Sequence, residues 1–171
     1  ATLATPFAIK LFTNSEAQLA FDEITTALRS QKISPSESLI LPTDEFSLDI
    51  QLDDGQVVKI KAVVFPLVSG LTLSTFCEKH APLSPYFISE LIRQLITPLK
   101  QLETAGVCHG DLHLDNVLVH QHADGSVVFK IVDISGRPTV AHTPHSDIQS
   151  LREILVHVLS MLPLRNMSLQ K

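Results

Sequence analysis

The segment His-Gly-Asp-Leu-His-Leu-Asp-Asn at residues 109–116 decides how this chain of 171 residues is interpreted. It is followed by the apolar run 117–119 and later by Ile-Val-Asp-Ile-Ser-Gly at 131–136. The two stretches offer a candidate base at Asp111, an amide at Asn116 and a second carboxylate at Asp133. A base for a hydroxyl proton and hard oxygen ligands for Mg²⁺ are the parts that a phosphoryl-transfer site requires.

Length and composition indicate one compact globular unit. With 44% hydrophobic and 18% charged residues, the chain is long enough to bury its own core. A net charge of -5, with scattered Lys and Arg, leaves no basic stripe that nucleic acid or an anionic membrane would select. Cys77 and Cys108 are typical of reduced intracellular thiols. The most apolar tract, 154–164, is too short to span a bilayer. We therefore expect a cytosolic site of action, with neither nucleic acid nor membrane as a partner.

Hydrophobic periodicity and turn residues predict an α+β chain. The predicted strands are 7–12, 46–52, 57–65, 117–119 and 127–131. Asp-Asp-Gly at 53–55 and Ala-Asp-Gly at 123–125 are the expected hairpin turns. Helices are predicted after a cap at 13–16, over 71–79, over 85–105 and after a cap at Ser146. The second half of the chain is therefore expected to be mainly helical.

In this order the elements resemble a protein kinase fold. The resemblance covers nearly the whole chain, and its most specific part is the spacing from Asp111 to Asn116 followed by Asp133. It implies a minimal bilobal α+β fold within a single domain, 1–171. A small antiparallel-sheet N-lobe would occupy about 1–65, a hinge 66–70 and a reduced helical C-lobe 71–171. The residues that carry the resemblance are Ala8-Ile9-Lys10, Glu23, the break at 66–70, His109-Gly110-Asp111, Asn116, Asp133 and Ser146-Asp147-Ile148.

The resemblance implies roles for the residues around the His-Gly-Asp segment, with ATP and Mg²⁺ as cofactors. Asp111 would orient the attacking hydroxyl and accept its proton. Asn116 and Asp133 would be ligands of Mg²⁺. Asp147 would brace the backbone of the His-Gly-Asp segment.

The first half of the chain would bind the nucleotide in the same resemblance. Lys10 would hold the α and β phosphates and would pair with Glu23, with Glu16 as the fallback partner. Ala8 and Leu118 would sandwich the adenine ring. The backbone groups of Phe65 to Val68 would bind the edge of that ring.

Several positions depart from the ordinary protein kinase pattern. Gly110 replaces the usual Arg, so no cation is available there for a phosphorylated activation loop, and we predict activity independent of loop phosphorylation. Only thirteen residues separate Asp133 from Asp147, and little is left to present a peptide. His113 stands in place of the usual Lys, as it does in the aminoglycoside and choline kinases.

No glycine precedes Gly55, so a Gly-rich phosphate loop is absent from the chain, and we expect it upstream of residue 1. The shortened architecture resembles the kinases that pathogenic bacteria inject into host cells as effectors in virulence. One group of those kinases modifies a host chaperone. The resemblance therefore implies secretion from a bacterium into a host cell and a host protein, such as a chaperone, as substrate.

The leading hypothesis is an ATP- and Mg²⁺-dependent Ser/Thr protein kinase of this minimal effector type. A pseudokinase that serves as a partner-binding adaptor is one alternative, and the missing Gly-rich loop supports it. A small-molecule phosphotransferase, similar to the aminoglycoside kinases, is the other, and the His-Gly-Asp-Leu-His string favours it. The acceptor and the oligomeric state are left open by the sequence.

Overall fold

The computed structural model describes residues 6–12, 22, 25–26, 33, 36–134 and 144–163. Helices and two small antiparallel sheets alternate along these ranges, so the α+β class predicted from the sequence is confirmed. The elements in chain order are β1 (Phe7–Phe12), β2 (Asp44–Gln51), β3 (Val57–Pro66), β4 (Leu71–Thr72), α1 (Leu73–His80), α2 (Pro85–Ala105), a 3-10 turn (Leu114–Asn116), β5 (Val117–Gln121), β6 (Val127–Ile131) and α3 (Pro144–Leu159).

The first sheet has the strand order β1-β3-β2, with both pairs antiparallel. Leu11 of β1 and Phe46 of β2 both lie opposite Ala62, so they share one face of the sheet. Large apolar side chains on that face are exposed, and Phe7 is 60% accessible. The opposite face carries Lys10. The exposed apolar residues of β1 and β2 are Phe7, Ile9, Leu11, Phe46 and Leu48.

The second sheet has the order β4-β5-β6 and is covered by helix α2. Alternate residues of β5 and β6 are buried, as expected for strands with one face on a core. The outer edge of β6 is closed by Gln94 of α2, whose amide donates to the Val127 carbonyl at 2.9 Å and accepts from the Phe129 N–H at 2.9 Å. The backbone groups of Val127 and Phe129 at this edge are therefore satisfied by a side chain instead of a fourth strand.

Helix α2 coincides with the helix predicted over 85–105. Ser84 caps it by accepting from the Phe87 N–H, and Pro85 occupies its first turn, where a missing N–H costs nothing. The predicted apolar stripe is buried in the core, and it consists of Leu91, Leu95, Leu99 and Leu102. No helix in the described ranges is both long and apolar enough to cross a membrane.

Two predicted helix starts were wrong. The helix expected from Leu71 begins at Leu73, because Leu71 and Thr72 pair with β5 and the Thr72 hydroxyl caps α1. The helix expected after a cap at Ser146 begins at Pro144, a residue that suits the first turn of a helix. The helix predicted after 13–16 lies outside the described residues except for 22 and 25–26, which are helical.

The chain joins the two sheets at two places. The linker 67–70 runs from β3 to β4, and a side chain at Gly70 would meet the Val119 carbonyl oxygen of β5 at 2.7 Å. Before β2, the segment 36–41 forms a parallel bridge to β6, where Ile40 N–H donates to the Ile131 carbonyl at 3.0 Å. Ile131 N–H donates back to the Ser38 carbonyl at 2.9 Å. The second attachment ends two residues before Asp133.

Candidate active site

A cavity of about 250 Å³ lies between the two sheets. Four of the predicted site residues line this cavity. Ala8 and Lys10 come from β1, and Leu118 and Asp133 come from the β5–β6 region. Most of the other walls are apolar, as a flat heteroaromatic ring requires. The lining residues are Ala8, Ile9, Lys10, Ile40, Phe65, Pro66, Leu67, Val68, Leu118, Val132 and Asp133.

Two lining residues were missed from the sequence. Ile40 reaches the cavity because the 36–41 segment pairs with β6 far along the chain, and local sequence carries no signal for that pairing. Val132 lines the cavity between Ile131 and Asp133, and its N–H donates to the Asn116 carbonyl at 3.0 Å. Only its position next to Asp133 could have suggested it.

The His-Gly-Asp backbone is held by a buried carboxylate. Asp147 of α3 accepts from the His109 N–H at 2.6 Å and from the Gly110 N–H at 3.1 Å. Its side chain is buried, and it is one of the few buried charged groups in the described ranges. This confirms the bracing contact that the resemblance implied for Asp147.

The His109 ring joins the same backbone to the strand that leads to Asp133. Its Nδ1 accepts from the Asp111 N–H at 3.2 Å, so Nε2 carries the ring proton and donates to the Val132 carbonyl at 2.8 Å. Burial lowers the pKa of His109, although the Val132 carbonyl and nearby carboxylates act in the opposite direction. The ring is therefore neutral, and it fixes the backbone of Asp111 relative to that of Val132.

Asp111 and Asn116 lie on the loop before β5. The Asp111 side chain is 68% exposed, which leaves its carboxylate free to meet an approaching hydroxyl. The Asn116 amide donates to the Asp111 carbonyl at 2.8 Å, and the Asn116 carbonyl accepts from Val132 N–H. Because Val117 pairs with Ile131 at the end of the hairpin, Asn116 and Asp133 flank the same end of the β5–β6 ladder.

The His113 ring stands among the polar groups of this loop. Its Nε2 lies 3.0 Å from Asn116 Nδ2 and 3.7 Å from Asp111 Oδ2. Its Nδ1 accepts from the Asp115 N–H at 3.2 Å and lies 3.9 Å from Asp115 Oδ2. The sequence singled out His113 only as a replacement for Lys, and these contacts were not foreseen.

Asp133 adopts an uncommon backbone conformation and faces Lys10. Its φ of 61° is in the left-handed region, which costs a residue with a side chain about 1–3 kcal/mol and is concentrated at functional sites. Its carboxylate forms an ion pair with the Lys10 ammonium. Both side chains are more than a third exposed, so the pair adds about 1 kcal/mol or less to stability and is easily exchanged for other partners.

Glu23 and Glu16, the predicted partners of Lys10, lie outside the described residues. Asp22 forms an ion pair with Lys61 of β3, which also lies 3.1 Å from Glu45. Burial disfavours the Lys61 charge, but its hydrogen bonds to the two carboxylates outweigh burial, and the pKa of Lys61 is raised. Asp22 is thereby attached to the face of the first sheet that carries Lys10.

The oxygen ligands present suit Mg²⁺ bound together with phosphate groups. Within the described ranges, no three His, Cys, Asp or Glu side chains are grouped to hold a metal ion by themselves. Mg²⁺ is usually bound in enzymes by one or two carboxylates, water and substrate phosphates. The Asp133 carboxylate and the Asn116 amide oxygen fit that mode, and Lys10 is placed to meet phosphate oxygens beside them.

Comparison with known proteins adds two likenesses. The family model described as the lipopolysaccharide kinase (Kdo/WaaP) family matches residues 67–153, a stretch that contains Asp111, Asn116, Asp133 and Asp147. The chain is also 30% identical over 100 residues to the serine/threonine-protein kinase RAD53 of Saccharomyces cerevisiae. That alignment covers 53% of this chain and 12% of RAD53.

Proposed function

Because the chain belongs to the lipopolysaccharide kinase (Kdo/WaaP) family, we propose that it transfers the γ-phosphoryl group of ATP to a hydroxyl group. The observation that carries the proposal is the placement of Asn116 and Asp133 at one end of the β5–β6 hairpin, where Asp133 lines the cavity and forms an ion pair with Lys10. Asp111, on the loop that precedes this hairpin, supplies the base. The chain thus presents a cation for phosphates, two oxygen ligands for Mg²⁺ and an exposed carboxylate.

The apolar part of the cavity takes the adenine ring. Ala8 and Leu118 lie on its opposite walls, contributed by the first and the second sheet. The backbone of 65–68 lines the same space and offers carbonyl and N–H groups to the ring edge. This places the phosphates toward Lys10 and Asp133.

The ion pair between Lys10 and Asp133 opens as the nucleotide binds. Lys10 would then contact the α and β phosphates, and Asp133 and Asn116 would hold Mg²⁺. When bound, Mg²⁺ neutralises charge on the transferred group. Each group of the pair thus exchanges one oppositely charged partner for another, and neither is left uncompensated.

Asp111 acts on the acceptor. The acceptor oxygen forms a bond to the γ-phosphorus, the bond from that phosphorus to the β–γ bridging oxygen breaks, and ADP leaves. The hydroxyl proton passes to the Asp111 carboxylate. His109 and Asp147 keep the Asp111 backbone in place through the contacts described above.

The acceptor proposed first is a sugar hydroxyl. Support comes from the family match, which covers the proposed base and both proposed metal ligands, and from the short span between Asp133 and Asp147. A Ser or Thr hydroxyl of a protein is the second candidate, favoured by the identity to RAD53. A role as a bacterial effector with a host chaperone as substrate belongs to this second candidate.

Transfer of labelled phosphate from ATP tests the proposal. The chain is incubated with Mg²⁺ and either a lipopolysaccharide core oligosaccharide or dephosphorylated casein as acceptor. Asp111→Asn is expected to lower transfer by about 10²–10⁴-fold, because the base is lost. Asp53→Asn, in the β2–β3 turn, is the matched control and retains activity.

The outcomes separate the candidates. Transfer to the oligosaccharide supports the sugar acceptor, and transfer to casein supports the protein acceptor. No transfer to water or to either acceptor, together with no binding of ATP, overturns the proposal in favour of a pseudokinase adaptor. Equal turnover by the wild type and Asp111→Asn overturns the assignment of the base.

A further inference from the structure

One side of the first sheet is apolar across all three strands. Because residues that lie opposite each other in an antiparallel ladder share a face, Leu11 of β1, Ala62 of β3 and Phe46 of β2 form one row. The other strand residues on this side are also apolar, except Asp44 at the start of β2. We call this side the apolar face, and it consists of residues 7, 9 and 11 of β1, residues 46, 48 and 50 of β2 and the even-numbered residues from 58 to 66 of β3.

The apolar face is exposed, whereas the second sheet is covered by α2. Phe7 is 60% accessible, Leu11 49% and Phe46 40%. The exposed side chains of this face present on the order of 500 Å² of contiguous apolar surface, a size at which a patch on a single chain often marks an interaction site. The face is therefore suited to contact with a partner.

The charges around the apolar face have one sign. Asp44 lies at one end of β2, and Asp53 and Asp54 lie in the turn at the other end, all three exposed. Lys59 and Lys61 of β3 alternate to the opposite side of the sheet, so none of the described strand residues on the apolar face is Lys or Arg. An anionic membrane attracts surfaces that carry such cations, and this face carries carboxylates instead. The charges are complementary to a basic partner.

A second copy of the chain fits this face poorly. Two copies packed face to face would set the carboxylates at the ends of β2 against those of the other copy. The exposed apolar area of each copy is also below the about 800 Å² per partner of a standard stable interface. A single helix fits better, because three strands about 4.8 Å apart are about as wide as one helix. The second sheet already packs against one such helix, α2, which buries a stripe of leucines.

We propose that the apolar face is the docking surface for a basic amphipathic helix of a partner protein. Apolar side chains spaced at i, i+3, i+4 and i+7 would contact the row that contains Phe46, and Lys or Arg near the two helix ends would pair with Asp44 and Asp53. Those two carboxylates are separated by a strand length of about 30 Å, which a helix of about 20 residues spans. Docking there requires no phosphoryl transfer, and Phe46 and Leu48 lie outside the lining of the cavity.

Isothermal titration calorimetry on the whole chain tests the docking surface. The probe is a synthetic amphipathic peptide of about 20 residues, with leucine on one helical face and lysine on the other. The wild type is expected to bind it with micromolar affinity, and the double variant Phe46→Ser, Leu48→Ser to bind about tenfold or more weakly, because apolar contact area is lost. Val156→Ser, at an exposed apolar residue of α3, is the matched control and leaves binding unchanged. Circular dichroism verifies that each variant is folded, and Phe46→Ala is the milder substitution if the double variant is not.

A second peptide, with glutamate in place of every lysine, tests the charge. It is expected to bind the wild type about tenfold or more weakly at low salt, and Asp44→Asn together with Asp53→Asn is expected to narrow that difference. Equal affinities for the two peptides, or equal binding by the wild type and the double serine variant, overturn the proposal, as does a wild type that binds neither peptide.

Two further measurements identify the other occupants. Sedimentation of the chain alone that shows a dimer, lost in the double serine variant, assigns the face to a second copy. Binding to vesicles of phosphatidylcholine and phosphatidylserine that the same variant loses assigns it to a lipid surface. Either result overturns the basic helix. A monomer that ignores the vesicles and binds the lysine peptide through Phe46 and Leu48 supports it.

Discussion

Both sheets of the molecule have three antiparallel strands, yet they differ in what covers their faces and edges. In the second sheet, β5 and β6 bury alternate residues, and Gln94 and the 36–41 segment close the outer edge of β6. In the first sheet, one face leaves large apolar side chains such as Phe7 and Phe46 exposed. The groups proposed to bind metal and activate the acceptor lie on or beside the well-covered sheet, and Lys10 lies on the other.

The difference in burial between the two sheets matches the positional accuracy that their site residues need. The Asn116 side chain donates to the Asp111 carbonyl, the Asn116 backbone carbonyl accepts from Val132, next to Asp133, and His109 and Asp147 add buried hydrogen bonds. Lys10 reaches the site on a long side chain and needs no such support, since its chemistry is that of a point charge. The groups proposed to require accurate positioning for catalysis therefore lie on or beside the second sheet, which is the better buried of the two.

The largest test of this contrast compares two phenylalanines. Phe129 of β6 is fully buried, so Phe129→Ala is expected to destabilise the chain by about 3–5 kcal/mol. Phe46 of β2 is 40% exposed, and Phe46→Ala is expected to cost about 1 kcal/mol or less. Urea unfolding measures both, and Phe129→Leu provides a milder variant if alanine prevents folding. Equal costs at the two positions would remove the contrast between the sheets.

The linker between the sheets gives the next effect. Gly70 has a φ of 147° and no room for a Cβ, so Gly70→Ala is expected to cost about 3 kcal/mol. Gly125 in the β5–β6 turn also has a positive φ, 84°, but nothing lies within 4 Å of an added Cβ. Gly125→Ala is therefore the matched control, with an expected cost of about 1 kcal/mol. If the urea midpoints of the two variants agree, the close approach to Val119 is unimportant.

A smaller loss is expected at the buried carboxylate. In Asp147→Asn, one of the two backbone N–H groups, of His109 and Gly110, keeps an oxygen acceptor. The other N–H group then faces the NH₂ group of the new amide and loses its hydrogen bond. The expected cost is about 2 kcal/mol, that of a buried polar group left without a partner. Asp54→Asn, in an exposed turn, changes the urea midpoint little. A stability of Asp147→Asn equal to that of the wild type would show that the brace is dispensable.

The smallest effect is a pH dependence from His109. Burial lowers its pKa, so below the ordinary His pKa of about 6.5 the unfolded chain binds a proton that the folded chain does not. Stability therefore falls as pH drops through that value, until the lowered pKa of the folded state is reached. NMR of the histidine rings between about pH 7 and 5.5 checks this. A His109 resonance that protonates at the ordinary pKa would contradict the buried neutral ring.

Local signals predicted much of the fold. The Asp-Asp-Gly turn, the Ser84-Pro85 start of α2 and its leucine stripe each depend on neighbours within a few residues, and the structure has them as expected. Such features need no knowledge of the rest of the chain.

What failed depended on contacts between distant segments. Leu71 and Thr72 fit the pattern of a helix but pair with β5. Leu71 lies opposite Val119, forty-eight residues later in the chain, so tertiary pairing overrode the local preference. The entry of Ile40 into the cavity follows from its bridge to Ile131. The ion pair of Lys10 with Asp133 joins residues 123 positions apart, and no spacing rule reaches that far.

The bridge at Ile131 limits how the two halves of the molecule can move. In the described part of the chain, the sheets are attached through the 67–70 linker and again where Ile40 and Ser38 bind Ile131. The linker and the hydrogen bonds at Ile131 are two points on one line. Rotation of one sheet relative to the other about this line is the rigid-body movement that leaves both attachments intact. Any opening of the cavity is therefore expected to be a swing about one axis, because sliding of the sheets past each other would break the hydrogen bonds at Ile131.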